Sequence, residues 1–138
     1  MKFQKIIFLI LFILLILLVG DFLSKKTCIS HPDIRVNTVK SGDLITSPLI
    51  IEGEARGTWY FEADFPVFLL NESGAQIAFA IARAQHDWMT EDFVPFKTEL
   101  KFDVPKKMNG TLVFKKDNPS DLPEYDDELR VPVIISNK

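Results

Sequence analysis

An all-β domain, folded as a two-layer antiparallel sandwich and preceded by one hydrophobic helix, is what the sequence predicts. Three observations predict it. Beyond residue 29, apolar side chains recur at every second position instead of with the 3.6-residue period of a helix, as in strands with one buried and one wet face. Turn-forming residues interrupt these runs at short intervals. Ahead of them lies one stretch, residues 6–19, with no polar side chain at all.

That stretch follows Lys2 and Lys5 and holds fourteen residues, or eighteen if residues 20–23 are included with Asp21 among them. A comfortable membrane span needs roughly 20. A positively charged start followed by an apolar run is the pattern of an export signal or signal anchor. Cleavage wants small residues at the first and third positions before the cut; Gly20 supplies one and Leu18 spoils the other. An uncleaved single-pass anchor is therefore expected over residues 1–23. A carboxylate at the bilayer centre costs about 2.5 to 3.5 kcal/mol, so Asp21 belongs at the interface, with Lys25 and Lys26 beyond it in water. The very short amino-terminal tail favours an inside start, which leaves the rest of the chain extracytoplasmic. Residues 24–33 form a short polar linker and residues 34–138 one domain, enough chain for a single core.

Within that domain seven strands are expected. The first covers residues 34–39. In the second, 49–55, Ile51, Gly53 and Ala55 alternate with Glu52 and Glu54. In the third, 59–70, Phe61, Ala63 and Phe65 alternate with Glu62 and Asp64. A hairpin turn at residues 71–74 leads to the fourth, 76–84. The fifth, 96–104, is the clearest: Phe96, Leu100, Phe102 and Val104 alternate with Lys97, Glu99, Lys101 and Asp103. Asn109 and Gly110 open a turn into the sixth, 111–115, and the seventh covers 129–135. Pro48, Pro66, Pro95, Pro105 and Pro132 belong at strand ends, edges or bulges, because proline gives the ladder no donor. Short strands at this spacing over about 100 residues point to an immunoglobulin-like sandwich of about seven strands.

Charge and cysteine content narrow the function. Beyond residue 28, twelve Lys and Arg face eighteen Asp and Glu, a net charge of −6 against −3 for the whole chain. With no basic stripe there is no source of phosphate attraction, so nucleic acid is not an expected partner. Cys28 is the only cysteine, which rules out an internal disulfide. Lys25, Lys26 and Thr27 precede it where a lipoprotein signal has small residues, so a free or intermolecularly paired thiol is the expected state.

Several ordered segments carry a resemblance: 47–63 (Ser47, Pro48, Glu52, Gly53, Gly57, Trp59, Tyr60), Trp88 to Glu91 with Phe93 to Phe96, and Asp117 to Ser120. Over about residues 34–135 the chain resembles the bacterial immunoglobulin-like domain associated with spore-germination proteins. The resemblance implies a β-sandwich carried on secreted or membrane-attached envelope proteins, without known catalytic residues. It transfers no site residues. What it implies is an extracytoplasmic binding or interaction module.

Candidates for chemistry are weak. Glu52 with Glu54, and Glu62 with Asp64, are spaced two apart, so on a strand each pair shares one face about 6.5 Å apart. Catalytic carboxylates normally face one another across a cleft, and alternation with apolar residues describes a wet face. His31 and His86 are too far apart in sequence, with no second ligand at zinc spacing, to suggest a metal site. Ser41 and Ser73 lack the glycines of a nucleophile elbow. Asp117, Asn118, Asp121, Glu124, Asp126, Asp127 and Glu128 crowd one loop with hard oxygen ligands, but their spacing matches no EF-hand and a solvated connection is the simpler reading. Trp59, Tyr60, Phe61 and Trp88 are core or, alternatively, a stacking platform for a sugar ring. Asn71-Glu72-Ser73 and Asn109-Gly110-Thr111 are formal glycosylation sequons that act as turns in a bacterium. No catalytic, cofactor-binding or metal-binding residue is assigned and no cofactor is expected. The expected function is a non-catalytic, membrane-tethered module of the cell envelope that binds a protein or cell-wall component. The alternative is a glycan-binding module using the Trp59 region.

Overall fold

The computed structural model describes residues 1, 4, 6–8 and 30–137 of the 138-residue chain. The expected anchor at 1–23 and Cys28 lie outside the described residues, apart from those few near the amino terminus. Among the described residues no helix is long and apolar enough to cross a membrane.

Strands dominate, as alternation requires. They are β1 (Ile34–Val36), β2 (Leu44–Ile45), β3 (Leu49–Arg56), β4 (Asp64–Asn71), β5 (Gln76–Ala84), β6 (Phe93–Leu100), β7 (Met108–Lys115) and β8 (Glu128–Ile135). They form one eight-stranded sheet in the order β1-β3-β6-β5-β4-β7-β8-β2, antiparallel except where β2 pairs with β8. Two separate sheets were expected; the connection comes from β5 and β6, which share only the pairs Arg83↔Lys97 and Ala84↔Phe96. That short seam lets the sheet curl over itself into a half-barrel. The curl sets Phe96 of β6 5.0 Å from Phe65 of β4 and 6.3 Å from Phe114 of β7, contacts that a flat sheet in this order cannot make.

The core follows the period-2 pattern. Phe65, Val67 and Leu69 of β4, Leu112 and Phe114 of β7, and Leu129, Val131, Val133 and Ile135 of β8 point inward against Ile51, Ala55, Val94, Phe96 and Leu100 from β3 and β6. Full burial of one such Phe or Leu side chain stabilises by about 1.5–3 kcal/mol. The only buried polar residue among those described, Thr98, donates its hydroxyl to the Ile81 carbonyl at 2.8 Å, filling the place where β5 and β6 have already diverged.

Four expectations need correction. The expected strand 59–70 is broken: Gly57–Trp59 is a single 3-10 turn, and Glu62 and Ala63 form a tight turn with φ of 50° and 68°, closed by reciprocal Phe61 and Asp64 backbone bonds. Alternation along 61–65 continued a pattern that the backbone does not. The first strand ends at Val36, where Asn37 and Thr38 turn to bond Glu52 instead. The clearest expected strand pairs over Phe93–Leu100, and Phe102 and Val104 are buried without a ladder, their amides held by Ser47 and Asn137 side chains. Gly110 opens no turn; it lies inside β7, where a Cβ would come within 2.6 Å of the Leu70 carbonyl and against Ile135. The Asn71 hairpin is as expected: Asn71 Oδ1 accepts from Ser73 and Ala75 amides and Gly74 takes a positive φ.

Candidate functional site

The two outer faces of the half-barrel differ in character. On β1-β3-β6 the outward residues are charged and paired: Lys97 with Glu52 and Arg35 with Glu54, each at 2.7 Å, while Arg35 and Arg56 flank the Phe93 ring at 3.9 and 4.3 Å. Glu52 and Glu54 therefore sit on one wet face, each engaged by a cation. Glu62 and Asp64 do not share a strand face at all, because the turn at Glu62-Ala63 separates them.

The outer face of β5-β4-β7 is apolar. Register places Phe68 opposite Phe79 on one side and Val113 on the other, and Pro66 opposite Ile81. The Phe68 and Phe79 rings touch at a tilt of 45° with centroids 5.4 Å apart, yet Phe79 stays 50% exposed. Val113 is buried but takes no part in the inner core, so it is covered from outside by these neighbours. Sequence alternation marks β5 as a strand, but only the registers bring Phe79, Phe68 and Val113 together. Beside it a shallow depression of about 270 Å³ is lined by Pro66, Phe68, Lys115, Lys116, Asp117, Asn118, Asp121 and Asp126.

The acidic loop forms the depression's wall. Asn118 organises it: its Nδ2 donates to the Leu122 carbonyl and to Asp126 Oδ1, and its Oδ1 accepts from Ser120. Burial pushes the Asp117 carboxyl up, with Asp64 and Glu62 adding repulsion and the Asn118 amide opposing. Three of the loop's carboxylates go to separate partners: Asp126 to Asn118, Asp127 to His31 and Glu128 to Arg130. Among the described residues, His31, Asp33 and Asp127 alone gather as three possible metal ligands, and only Asp127 belongs to the loop.

That grouping escaped sequence reasoning because its members are 96 residues apart. His31 Nε2 lies 3.1 Å from Asp127 Oδ1, and its Nδ1 accepts the Asp33 backbone N–H at 3.2 Å. A ring nitrogen accepting an amide hydrogen places the imidazole proton on Nε2, toward Asp127. A metal needs that nitrogen unprotonated and prefers the other to be a donor. As arranged, the group is a hydrogen-bonded lock between the domain's entry and the β7–β8 loop. His86 lies elsewhere, on the β5–β6 connection.

A sugar platform at Trp59 is ruled out by burial. Trp59 is 1% exposed, wedged edge-on between His31 at 5.0 Å and Phe65 at 6.4 Å, and Tyr60 is buried with it. Trp88 packs against the core, and Phe61 alone of the four is exposed. Aromatic area in the cluster was spent on the interior because the 3-10 turn rotates Trp59 inward. Its indole Nε1 has no hydrogen-bond partner among the described residues.

No curated protein and no solved structure matches the chain. A family model described as the immunoglobulin-like domain of bacterial spore germination matches residues 33–122, which spans β1 to β7. With the all-β half-barrel and the ordered motifs from Ser47 to Ser120, this match shows that the chain belongs to the immunoglobulin-like domain family of bacterial spore germination.

Proposed function

We propose that this chain is a non-catalytic interaction module, held at a membrane by its amino-terminal apolar segment and displayed on the extracytoplasmic side. The observation that carries the reading is the outer face around Phe68 and Phe79, apolar where the opposite outer face is ion-paired. Exposed contiguous apolar surface on a small domain marks a protein-interaction site. Support for a non-catalytic role comes from Glu52 and Glu54, each engaged by a cation, and from Glu62 and Asp64, which the turn at Glu62-Ala63 separates. Tethering is supported by the unbroken apolar run at 6–19.

Two measurements in intact cells test it. A photo-crosslinking residue at position 79 should capture a protein, and the same residue at position 97 on the charged face should not; equal yields, or none at 79, sink the reading. In a Cys28→Ala background, Glu72→Cys should react with a membrane-impermeant maleimide before lysis. Labelling only after lysis removes the extracytoplasmic placement.

A further inference from the structure

Sheet edges that must stay solitary are kept very short or are marked with charges and proline. The two ends of this sheet follow that rule: β1 has three residues and β2 two. β8, paired with β2 only at Ile134 and Ile135, carries Glu128, Arg130 and Pro132 along the rest of its length. β5 does neither. It meets β6 only at Arg83 and Ala84, so residues 76–82 have β4 on one side and, among the described residues, no strand on the other. Those seven residues contain no charge and no proline.

Backbone groups of successive strand residues point alternately to the two neighbours. The Ala84 N–H bonds the Ala63 carbonyl ahead of β4, and the Gln85 N–H bonds the Pro95 carbonyl of β6. Counting back, Ala80 and Ala82 face β4, while Phe79 and Ile81 face the open side. The Ile81 carbonyl agrees, since it accepts the Thr98 hydroxyl from β6 at 2.8 Å. A register shift at Leu69 and Leu70 confines the regular part of this edge to residues 78–82. We propose that the edge takes up an extended, uncharged segment of a partner protein as an added strand, held by backbone bonds to Phe79 and Ile81. An extended backbone matches donors and acceptors that recur at every second residue. Its side chains alternate as well. Those on the outer face lie beside Phe79 and Ile81, and those on the inner face lie by Ala80, which packs on the core yet is only partly buried. This rests on the reading of the chain as an interaction module and says how the partner is held.

The test is residue-resolved amide hydrogen exchange on the full chain in mild detergent. The probe is a synthetic peptide of about five alternating Val and Thr residues between Lys ends. Without it, the Phe79 and Ile81 amides should exchange roughly tenfold or more faster than those of Ala80 and Ala82, which bond β4. Saturating peptide should slow Phe79 and Ile81 by roughly tenfold and leave Ala80 and Ala82 unchanged. The same peptide N-methylated at every amide of its Val and Thr segment keeps the side chains, loses the donors and should slow nothing. Three results overturn the inference: protection already present without peptide, whether from a second copy or from the chain itself; no slowing by the peptide; or equal slowing by both peptides. In cells, Ile81→Pro removes an edge N–H and no bond to β4, so it should fold and weaken capture from position 79 by roughly tenfold. If it does not fold, the exchange measurement decides. A folded Ile81→Pro that captures the same protein as well as wild type removes only this inference and leaves the module reading intact.

Discussion

The Tyr60 hydroxyl donates to the Val94 carbonyl at 2.6 Å, tying the segment ahead of β4 to β6 across the fold of the sheet. The phenol is 3% exposed, and burial holds its proton well beyond the usual tyrosine range. Tyr60→Phe should lower stability by about 0.5–1.5 kcal/mol, because the buried Val94 carbonyl, which also pairs with Ala55 in the ladder, loses its second donor. Urea unfolding checks this, and equal midpoints would show the bond to be dispensable. The sign with pH follows: a phenol whose folded pKa is raised contributes stability that is lost as pH rises above the unfolded value near about 10. Wild type should therefore lose stability there, and Tyr60→Phe should lose less.

Ala63 holds a left-handed backbone at φ 68° beside Glu62 at φ 50°. A residue with a Cβ in that region costs on the order of 1–2 kcal/mol, and glycine almost nothing. Glycine also gives the unfolded chain more freedom, which takes back roughly 0.4–1 kcal/mol. Ala63→Gly should be stabilising by about 0.5–1 kcal/mol in thermal or urea unfolding. A destabilised variant would mean that the turn is not strained as drawn.

Gly57 marks the opposite case. A Cβ there would stand 1.9 Å from the Thr90 carbonyl oxygen and 2.3 Å from that of Trp88, both backbone atoms with little room to move. Gly57→Ala should cost about 1–3 kcal/mol or more by overpacking. Gly42→Ala, with a positive φ but open space around it, serves as a contrast, costing backbone strain alone. A Gly57→Ala protein as stable as wild type would refute the close approach of the 88–90 segment.

Asp117 gives a pH-dependent effect of known sign. Its carboxyl is pushed up mainly by burial, so its charge opposes folding above the folded pKa and ceases to do so as pH falls through it. Asp117→Asn should be slightly more stable than wild type at neutral pH, with the advantage disappearing in acid. The comparison belongs at protein concentrations where sedimentation finds single chains. A constant gap across that range would show that charge is not the cause.

Much of the fold was legible because strand alternation depends on local sequence. Gln76–Ala84 was bounded correctly at both ends, and the Asn71 hairpin was visible from turn chemistry alone. The two-residue strand Leu44–Ile45 was not, since two residues display no period and its partner is Ile134 and Ile135 at the far end of the chain. Gly110 looked like a turn because glycine signals both flexibility and close approach, and only Leu70 and Ile135 across the ladder distinguish them. The Trp59 segment misled for a similar reason: alternation survives in sequence through a turn that reverses the backbone. Of the site, the acidic wall was readable as composition. Its apolar neighbour was not, because Phe68, Phe79 and Val113 become adjacent only through the β4–β5 and β4–β7 registers.

The three pairs joining β1 to β3 have a mechanical consequence. Tension applied at the amino-terminal end of the domain reaches first the His31–Asp127 clasp and then this short ladder, which lies at the margin of the sheet and opens one rung at a time. The eight rungs joining β3 to β6 carry the same load over a longer ladder and so outlast the three of β1. Under force, the domain yields by a small, reversible slackening at its entry well before its interior is exposed to water.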